Sequence, residues 1–304
     1  MMKITITGGS GFVGKNLSAY LSDIGHTVEL LSLRDSNWAT KYPVDTQVVI
    51  HLAGKAHDTT NSIETDNYFK INAELTKSVF QVFRDSTASD FYYFSSVKAV
   101  RDSVVGELTE NDVPFPMTDY GRSKLEAENY LRQQIISSSK RIFIIRPSMI
   151  HGPGNKGNLN LLYNIVKNGI PWPLGSFRNQ RSFLGIDNLN FLIGEMLKSP
   201  SIQSGVYNFC DDDTLSTNEV VAIISQVLNK KERIWNWSSR LIRFFAKAGD
   251  KFSFPLNTER LKKLTESYIV SNAKIKSALN IVKLPFTARE NLITTVHSFN
   301  KKEA

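Results

Sequence analysis

Apolar and polar positions follow two alternating periods through the first half of the chain. Short apolar runs of strand length recur as KITIT (3–7), TVELL (27–31), QVVIHLA (47–53), FYYFSS (91–96) and RIFIIRP (141–147). Between them, Phe12 to Ile24, Asp66 to Phe83 and Tyr120 to Ile136 carry apolar residues at helical spacing. This alternation predicts an α/β fold built on a doubly wound parallel sheet with right-handed crossovers. One interval is short. Only 13 residues separate Leu33 from Gln47, enough for a minimal crossover but not for a full strand–helix–strand excursion, so a truncated sheet edge is expected there.

The pattern changes after Pro147. HGPGNKGN and GIPWPLGS are rich in Gly, Pro and Asn and open what reads as a smaller lobe. RSFLGI, with a helical stretch from Asp187 to Leu197 behind it, reads as a return to the first domain, and further helical stretches follow at Thr217–Leu228, Ser239–Ala248 and Asn257–Leu264. The expected division is a main domain at 1–150 plus about 181–205, and a smaller C-terminal lobe at about 151–180 and 206–304.

Composition narrows the class. A chain of 304 residues, 41% hydrophobic and 22% charged, buries a full core. Lys and Arg outnumber Asp and Glu 37 to 29, for a net charge of +8. The basic residues are scattered, with runs no longer than pairs such as Lys230-Lys231 and Lys262-Lys263, so a solvated surface is expected and no nucleic-acid partner. No apolar run approaches the roughly 18 residues of a membrane span, and MMKITIT enters a strand without an export signal. The single cysteine, Cys210, has no partner for an internal disulfide and no His or Cys neighbour for zinc. A cytoplasmic setting, a filler role for Cys210 and no metal are therefore expected.

Candidate chemistry begins at TGGSGFVG (7–14), where Gly8, Gly11 and Gly14 stand between the first strand and the first helix. The first two glycines let the turn tighten and the backbone approach a pyrophosphate, and the third permits close packing of the helix whose N-terminus holds the charge. A second signal is Tyr120 and Lys124, four apart and so on one helix face. An ammonium near a phenol stabilises the phenolate and lowers its pKa, which makes the pair a proton relay. Upstream, FYYFSS ends in Ser95 and Ser96 at a strand's carboxyl end, where open parallel sheets place their ligands. A serine hydroxyl there could bond a substrate oxygen while Tyr120 gives or takes its proton.

In these motifs, and in VVIHLAGKAH, KINAELT, YGRSKLEAE, RPSMIHGPG, RSFLGIDNL and GVYNF, the chain resembles the extended short-chain dehydrogenase/reductases that act on nucleotide sugars. The resemblance implies a Rossmann-type NAD(P)-binding domain and a lobe that takes a UDP-sugar. It implies that Tyr120 is the acid/base, that Lys124 holds the nicotinamide ribose and tunes Tyr120, and that a serine orients the substrate. Ser96 matches that serine better than Ser95, which stays as the alternative. Asn72 matches the residue that supports the lysine. Phe12, Val13, Leu52, Ala53, Gly54 and Pro147 fall at cofactor positions, and Val97, Asn158, Trp172 and Arg181 at substrate positions, with Arg181 on the diphosphate and Trp172 either flanking the base or in the core. His57 reads as a loop histidine near the sugar, and a homodimer is possible.

Cofactor choice turns on the end of the second strand, where an acid accepts the ribose hydroxyls of NAD and a base pairs with the 2′-phosphate of NADP. That position reads as Ser32, with Arg34 two residues on and Asp35 as a substitute acid. NADP(H) is favoured, with NAD(H) the alternative. SSVKAV and RSFLGIDNL further resemble UDP-4-keto-6-deoxy-N-acetylhexosamine 4-reductases of bacterial surface-polysaccharide pathways, which implies reduction of a C4 ketone. The alternatives are an NAD-dependent UDP-hexose or UDP-N-acetylhexosamine 4-epimerase and, from another class, a non-catalytic dinucleotide sensor. Dehydration is disfavoured because Val97 and Lys98 follow Ser96 where dehydratases carry an acidic pair. Arg101-Asp102 replaces the family's Tyr-Gly. Finally, WNWSSRLIRFFAKAG (235–249) is amphipathic, as a lobe helix or, less expected, as a membrane-surface element.

Overall fold

A computed structural model describes residues 1–55, 65–155, 158–252 and 257–300. In chain order, β1 (Lys3–Thr7), α1 (Phe12–Asp23) and β2 (Thr27–Leu31) lead through a 3-10 turn at Trp38–Lys41 to β3 (Val48–His51). Next, α2 (Thr65–Phe69) passes through a π-helical turn at Lys70–Glu74 into α3 (Leu75–Asp85). After these come β4 (Asp90–Phe94), a 3-10 turn at Val97–Ala99, β5 (Glu107–Leu108), α4 (Asp119–Arg132) and β6 (Arg141–Pro147).

The central sheet is six-stranded, in the order β2-β1-β3-β4-β6 followed by Gly205–Phe209, and all of its pairings are parallel. Its inner strands are buried on both faces, as expected of a sheet covered by helices. On one face Ile4, Ile6, Ile50, Tyr92 and Phe143 pack with Leu17 and Leu21 of α1. On the other, Val49, Phe91, Tyr93 and Ile144 pack with Val79, Phe80 and Phe83 of α3 and with Ala127 and Leu131 of α4. The sheet ends at β2, as the short interval implied. In place of a further strand and helix, the turn at 38–41 tucks Trp38 into the second cluster beside Leu31.

The second half runs β7 (Met149–His151), α5 (Asn158–Lys167), β8 (Arg181–Gly185), α6 (Ile186–Lys198), β9 (Gly205–Phe209), β10 (Thr214–Leu215) and α7 (Thr217–Val227). It continues with α8 (Ser239–Phe252), α9 (Thr258–Thr265), β11 (Ile269–Val270), α10 (Ala273–Ala278) and α11 (Ala288–Asn300). Strands β10, β8 and β7 form a separate three-stranded sheet, and β11 pairs with β5. The lobe core gathers α5, α7, Ile242 and Ala246 of α8, Leu261 of α9, and α11.

Two segments fall differently from the division read in the sequence. RSFLGI rejoins the main domain through the Leu184 side chain and the helix that follows, but not through the central sheet. β8 belongs to the lobe sheet, whereas Leu189, Leu192, Ile193 and Met196 of α6 pack with β1 and α1. Conversely GVYNF, read as lobe from 206 onward, is the edge strand β9, bonded to β6 from Phe143↔Gly205 to Pro147↔Phe209. Which sheet a short apolar strand joins is decided by long-range pairing, which local pattern does not encode. Helices α10 and α11 were not anticipated. Ile275 of α10 closes the main core, and Leu292 and Val296 of α11 help close the lobe.

Candidate active site

The glycine loop leaves β1 and enters α1 at the carboxyl edge of the sheet. Gly8 has φ +73, a left-handed conformation, and a Cβ there would lie 2.6 Å from the Ala53 nitrogen. A Cβ on Gly14 would lie 2.4 Å from the Gly8 carbonyl oxygen and 2.6 Å from the Gly9 Cα. Gly11 is the N-cap of α1, and no side chain caps the helix. The first backbone N–H groups of α1, at Phe12 and Val13, thus face an opening suited to an anion. Phe12 also packs against the HGPG loop, its ring 3.3 Å from where a Gly152 Cβ would be. Opposite, the ends of β1 and β3 are tied together, with the Leu52 N–H donating to the Thr7 carbonyl (3.1 Å) and the Ala53 N–H to Thr7 Oγ1 (3.3 Å). His51 bridges Thr7 (2.6 Å) and Thr76 (3.0 Å), and its full burial holds the imidazole neutral, with its pKa pushed down to about 3.

At the end of β4 the two serines part. Ser95 donates to Glu128 Oε1 at 2.5 Å. Ser96 caps the 3-10 turn, accepting from the Lys98 N–H at 3.2 Å, and its hydroxyl hydrogen-bonds that of Tyr120. Tyr120 lies in the first turn of α4, which Thr118 caps. One turn on, Lys124 is buried. Its Nζ donates to the Phe94 carbonyl at 2.8 Å and sits 5.0 Å from the Tyr93 ring centroid. Burial pushes the Lys124 ammonium down to about 8, against the opposing field of Glu128. Tyr120 is raised, first by burial and then by Tyr68, while the Ser96 bond lowers it. This differs from the depressed phenol expected from the spacing. The Lys124 ammonium is turned to the Phe94 carbonyl and the Tyr93 face, so desolvation dominates at the phenol.

Behind these groups stands a network that the motifs did not announce. Glu128 and Arg146 are both fully buried and paired bidentately, with Nε–Oε1 at 2.9 Å and Nη2–Oε2 at 2.5 Å. The available signals were Glu128 at i+4 from Lys124 and an arginine inside the apolar run RIFIIRP. Asn72, buried on the π turn, accepts from the Lys55 N–H (2.8 Å) and donates to Ser123 Oγ (3.0 Å), which joins the β3 loop to α4 beside Lys124. Gly54 completes the cradle, since a Cβ there would lie 3.0 Å from Asn72 Oδ1 and 3.2 Å from Lys124 Nζ. Tyr68 of α2 meets Tyr120 edge-on at 6.1 Å.

At the far end of the sheet, Ser32 is exposed one residue beyond β2, and Arg34 is exposed in the turn that follows. Asp35, the substitute acid, is ion-paired with Lys41 and accepts from the Asn37 N–H at 3.0 Å. Pro147 is buried at the end of β6, beside β9.

On the lobe side the resemblance fares unevenly. Arg181, at the start of β8, donates to the Lys263 carbonyl at 2.8 Å, and burial lowers its pKa. It shares its surroundings with Lys98, whose Nζ bonds the Asp102 carbonyl (2.7 Å) above the Tyr268 ring, and whose pKa burial brings down to about 8. The two cations lie within each other's field, together with Asp102 and Glu266, a grouping that sequence reading had not assembled. Val97, expected at the substrate, turns its side chain into a cluster with Leu108, Cys210, Tyr268 and Val270. Trp172 is a core residue and not a base-stacking wall. It is buried in the lobe, and its indole donates to Asn218 Oδ1 at 3.0 Å. Asn158 opens α5, and its side chain lies outside the described residues, as does His57.

The glycine loop and the uncapped N-terminus of α1 suit the pyrophosphate of a dinucleotide at the carboxyl edge of the sheet, and Lys124 and the hydrogen-bonded pair Ser96 and Tyr120 stand at the same edge, beyond β4 and in the first turns of α4. A model of the NAD dependent epimerase/dehydratase family matches residues 4–210. Over 254 residues the chain is 34% identical to a UDP-glucose 4-epimerase of Vibrio cholerae, covering 75% of this chain and 76% of that one. It is 28% identical over 244 residues to the N-acetyl-alpha-D-glucosaminyl-diphospho-ditrans,octacis-undecaprenol 4-epimerase of Escherichia coli O157:H7, covering 75% and 73%. Among solved structures, RMD from Pseudomonas aeruginosa complexed with NADPH superposes with a TM-score of 0.77 at 22% identity, over 99% of this chain and all of that one. UDP-glucuronic acid 4-epimerase from Bacillus cereus in complex with NAD does so with a TM-score of 0.77 at 16% identity, over the full length of both.

Proposed function

The chain belongs to the NAD-dependent epimerase/dehydratase family and is an NAD(P)-dependent nucleotide-sugar enzyme of its epimerase and reductase branches; we propose that within these it reduces the C4 ketone of a UDP-4-keto-6-deoxy-N-acetylhexosamine. The observation that carries this reading is the end of β2. Ser32 follows β2 where an acid would take the ribose diol, Asp35 is held by Lys41, and the exposed Arg34 two residues on supports a 2′-phosphate partner. A preference for NADP(H) suits a reductase, which consumes a hydride at every turnover, better than an epimerase, which returns the hydride to the same sugar.

The chain's own groups divide the work. Gly8, Gly11 and Gly14 with the N-terminus of α1 hold the pyrophosphate, and Lys124, placed by Asn72, Phe94 and Glu128, holds the nicotinamide ribose. NADPH, bound there, supplies hydride. Ser96 donates a hydrogen bond to the C4 oxygen, and Tyr120 delivers its proton to the same oxygen as negative charge develops. A phenol kept protonated by burial suits the direction in which the protein is the acid. Arg181 and Lys98 pair with the diphosphate of the sugar nucleotide. The residues after Ser96, Val97 and Lys98, supply no acid for elimination of water.

The 34% identity to a 4-epimerase favours a second reading, in which the same Ser96, Tyr120 and Lys124 serve both directions on a UDP-hexose with NAD. One experiment separates the two. The purified protein is denatured, released dinucleotide is identified, and fresh protein is offered NADPH with the 4-keto-6-deoxy substrate. Loss of reduced-nicotinamide absorbance with formation of the 4-hydroxy sugar supports the reductase. Tightly held NAD, no NADPH consumption and interconversion of UDP-hexoses would replace it with the epimerase.

A further inference from the structure

Helix α8 buries the narrower of its two apolar stripes. Ile242, Ala246 and Gly249 face the lobe core, at i, i+4 and i+7. The larger side chains point away, with Phe244 66% exposed and Leu241 and Phe245 about half exposed, at 47% and 50%. Just upstream, Trp235 and Trp237 stack at 6.0 Å between centroids, each nearly half exposed (48% and 46%), while Ile234 between Arg233 and Trp235 bridges to Trp172. The segment is thereby pinned to the lobe with both indoles facing outward. Leu241, Phe244 and Phe245 thus share the outer face of α8, and the two stacked indoles lie exposed within a few residues of its start, more than scattered surface hydrophobes account for.

Charge identifies the occupant. At 100° per residue, Arg240, Arg243, Lys247 and Lys251 fall along one edge of this apolar face, and all four are exposed. Asp250, the helix's single acid, is turned to α9, accepting from the Thr258 N–H (2.9 Å) and Oγ1 (2.6 Å). Arg243 and Lys247 also line, with Lys262 of α9 and its ion-pair partner Glu266, a cavity of about 320 Å³. An apolar face with tryptophans at its end and cations along its edge matches the interfacial plane of a bilayer that carries anionic headgroups. A second copy of the chain fits less well, because the helix offers no acidic edge to receive the four cations.

We propose that α8, with Trp235 and Trp237, docks the substrate lobe on an anionic membrane surface. Since α9 packs against α8 and its Lys263 carbonyl holds Arg181, docking would present the sugar-diphosphate side of the cleft at the bilayer, and it requires neither the reductase nor the epimerase reading.

The test is flotation of the full chain with vesicles of phosphatidylcholine alone or mixed with phosphatidylglycerol, at low and physiological salt. The expected result is flotation with the anionic vesicles and none with the neutral ones. The double substitutions Phe244→Ser/Phe245→Ser and Arg240→Glu/Lys251→Glu should each cut bound protein by about tenfold, with dinucleotide binding retained as proof of folding. Three results would overturn the proposal: no flotation of the native chain, equal flotation with neutral vesicles, or a dimer that the Phe244→Ser/Phe245→Ser pair dissociates in the absence of lipid.

Discussion

Ser95 gives its hydroxyl to the buried Glu128 carboxylate at 2.5 Å, while its neighbour Ser96 turns the opposite way and bonds Tyr120. Strand alternation makes two adjacent serines do different jobs, one in the packing and one in the cleft. Ser96→Ala should lower kcat by about 10²-fold, the order of one lost transition-state donor, with stability falling by no more than the ~0.5–1 kcal/mol that its cap on the 3-10 turn contributes. Ser95→Ala should instead cost about 1–3 kcal/mol of stability, because the Glu128–Arg146 pair loses a buried partner. Steady-state assays and thermal unfolding of the two variants check both halves. Equal kinetic losses would mean that the cleft does not distinguish the serines.

Tyr120→Phe removes the proton donor and leaves the ring that meets Tyr68 edge-on. Turnover should fall by about 10³-fold or more, while NADPH affinity, measured by nicotinamide fluorescence, stays within about threefold of the native value. Surviving turnover would assign the acid to another group.

The Lys124 ammonium, brought down to about 8 by burial, fixes a pH window. Below about 8 it is charged and can donate to the ribose; as pH climbs through 8 that donor is lost. Dinucleotide affinity of the free protein should therefore decline above pH 8, and Lys124→Met should give a weak affinity without that step. Stability has the opposite sign. The folded pKa lies below a lysine's ordinary 10.5, so between about 8 and 10.5 the unfolded chain binds more protons and stability rises with pH. The burial cost is in full force below 8. Lys124→Met should accordingly melt higher at neutral pH, with the gap closing toward pH 10.

Much of this site was legible because its parts are local. TGGSGFVG and the i, i+4 spacing of Tyr120 and Lys124 place their residues through one loop and one helix turn. The Ser95/Ser96 choice rested on the resemblance and stayed open in the sequence, because the Glu128 carboxylate that takes Ser95 comes from α4. Legibility failed where partners come from distant segments. Nothing near Glu128 announces Arg146, nothing near Lys98 announces Arg181, and β9 pairs with β6 across nearly the whole lobe insertion. Trp172 stayed open between two readings for another reason, since a tryptophan among Gly and Pro looks the same whether it walls a pocket or fills a core, and the Asn218 acceptor and the surrounding lobe side chains favour the core.

Cofactor preference should be reversible at the end of β2. Arg34→Ala should raise the KM for NADPH about tenfold, the order of one exposed phosphate contact, with little change for NADH. Ser32→Asp should repel the 2′-phosphate and offer an acceptor to the ribose diol, which moves the preference toward NADH. Paired kinetics with both dinucleotides check this. An Arg34→Ala variant with both constants unchanged would leave Arg34 a solvated surface residue.

The glycines separate architecture from ligand contact. A Gly14→Ala methyl would sit 2.4 Å from the Gly8 oxygen and 2.6 Å from the Gly9 Cα, backbone that cannot swing aside, so α1 must shift off the loop. Loss of about 1–3 kcal/mol of stability is expected together with loss of cofactor binding. Gly11 has an ordinary extended backbone, φ −75, and a methyl there would meet only the Gly8 oxygen, at 3.2 Å. The rest of its surroundings is the opening above the N-terminus of α1. Gly11→Ala should therefore melt within about 0.5 kcal/mol of the native chain yet bind the dinucleotide at least about tenfold more weakly, because its methyl occupies the approach that the pyrophosphate needs. Calorimetric titration and thermal unfolding of the two variants read the difference directly, and a Gly11→Ala chain with undiminished affinity would move the pyrophosphate away from the loop.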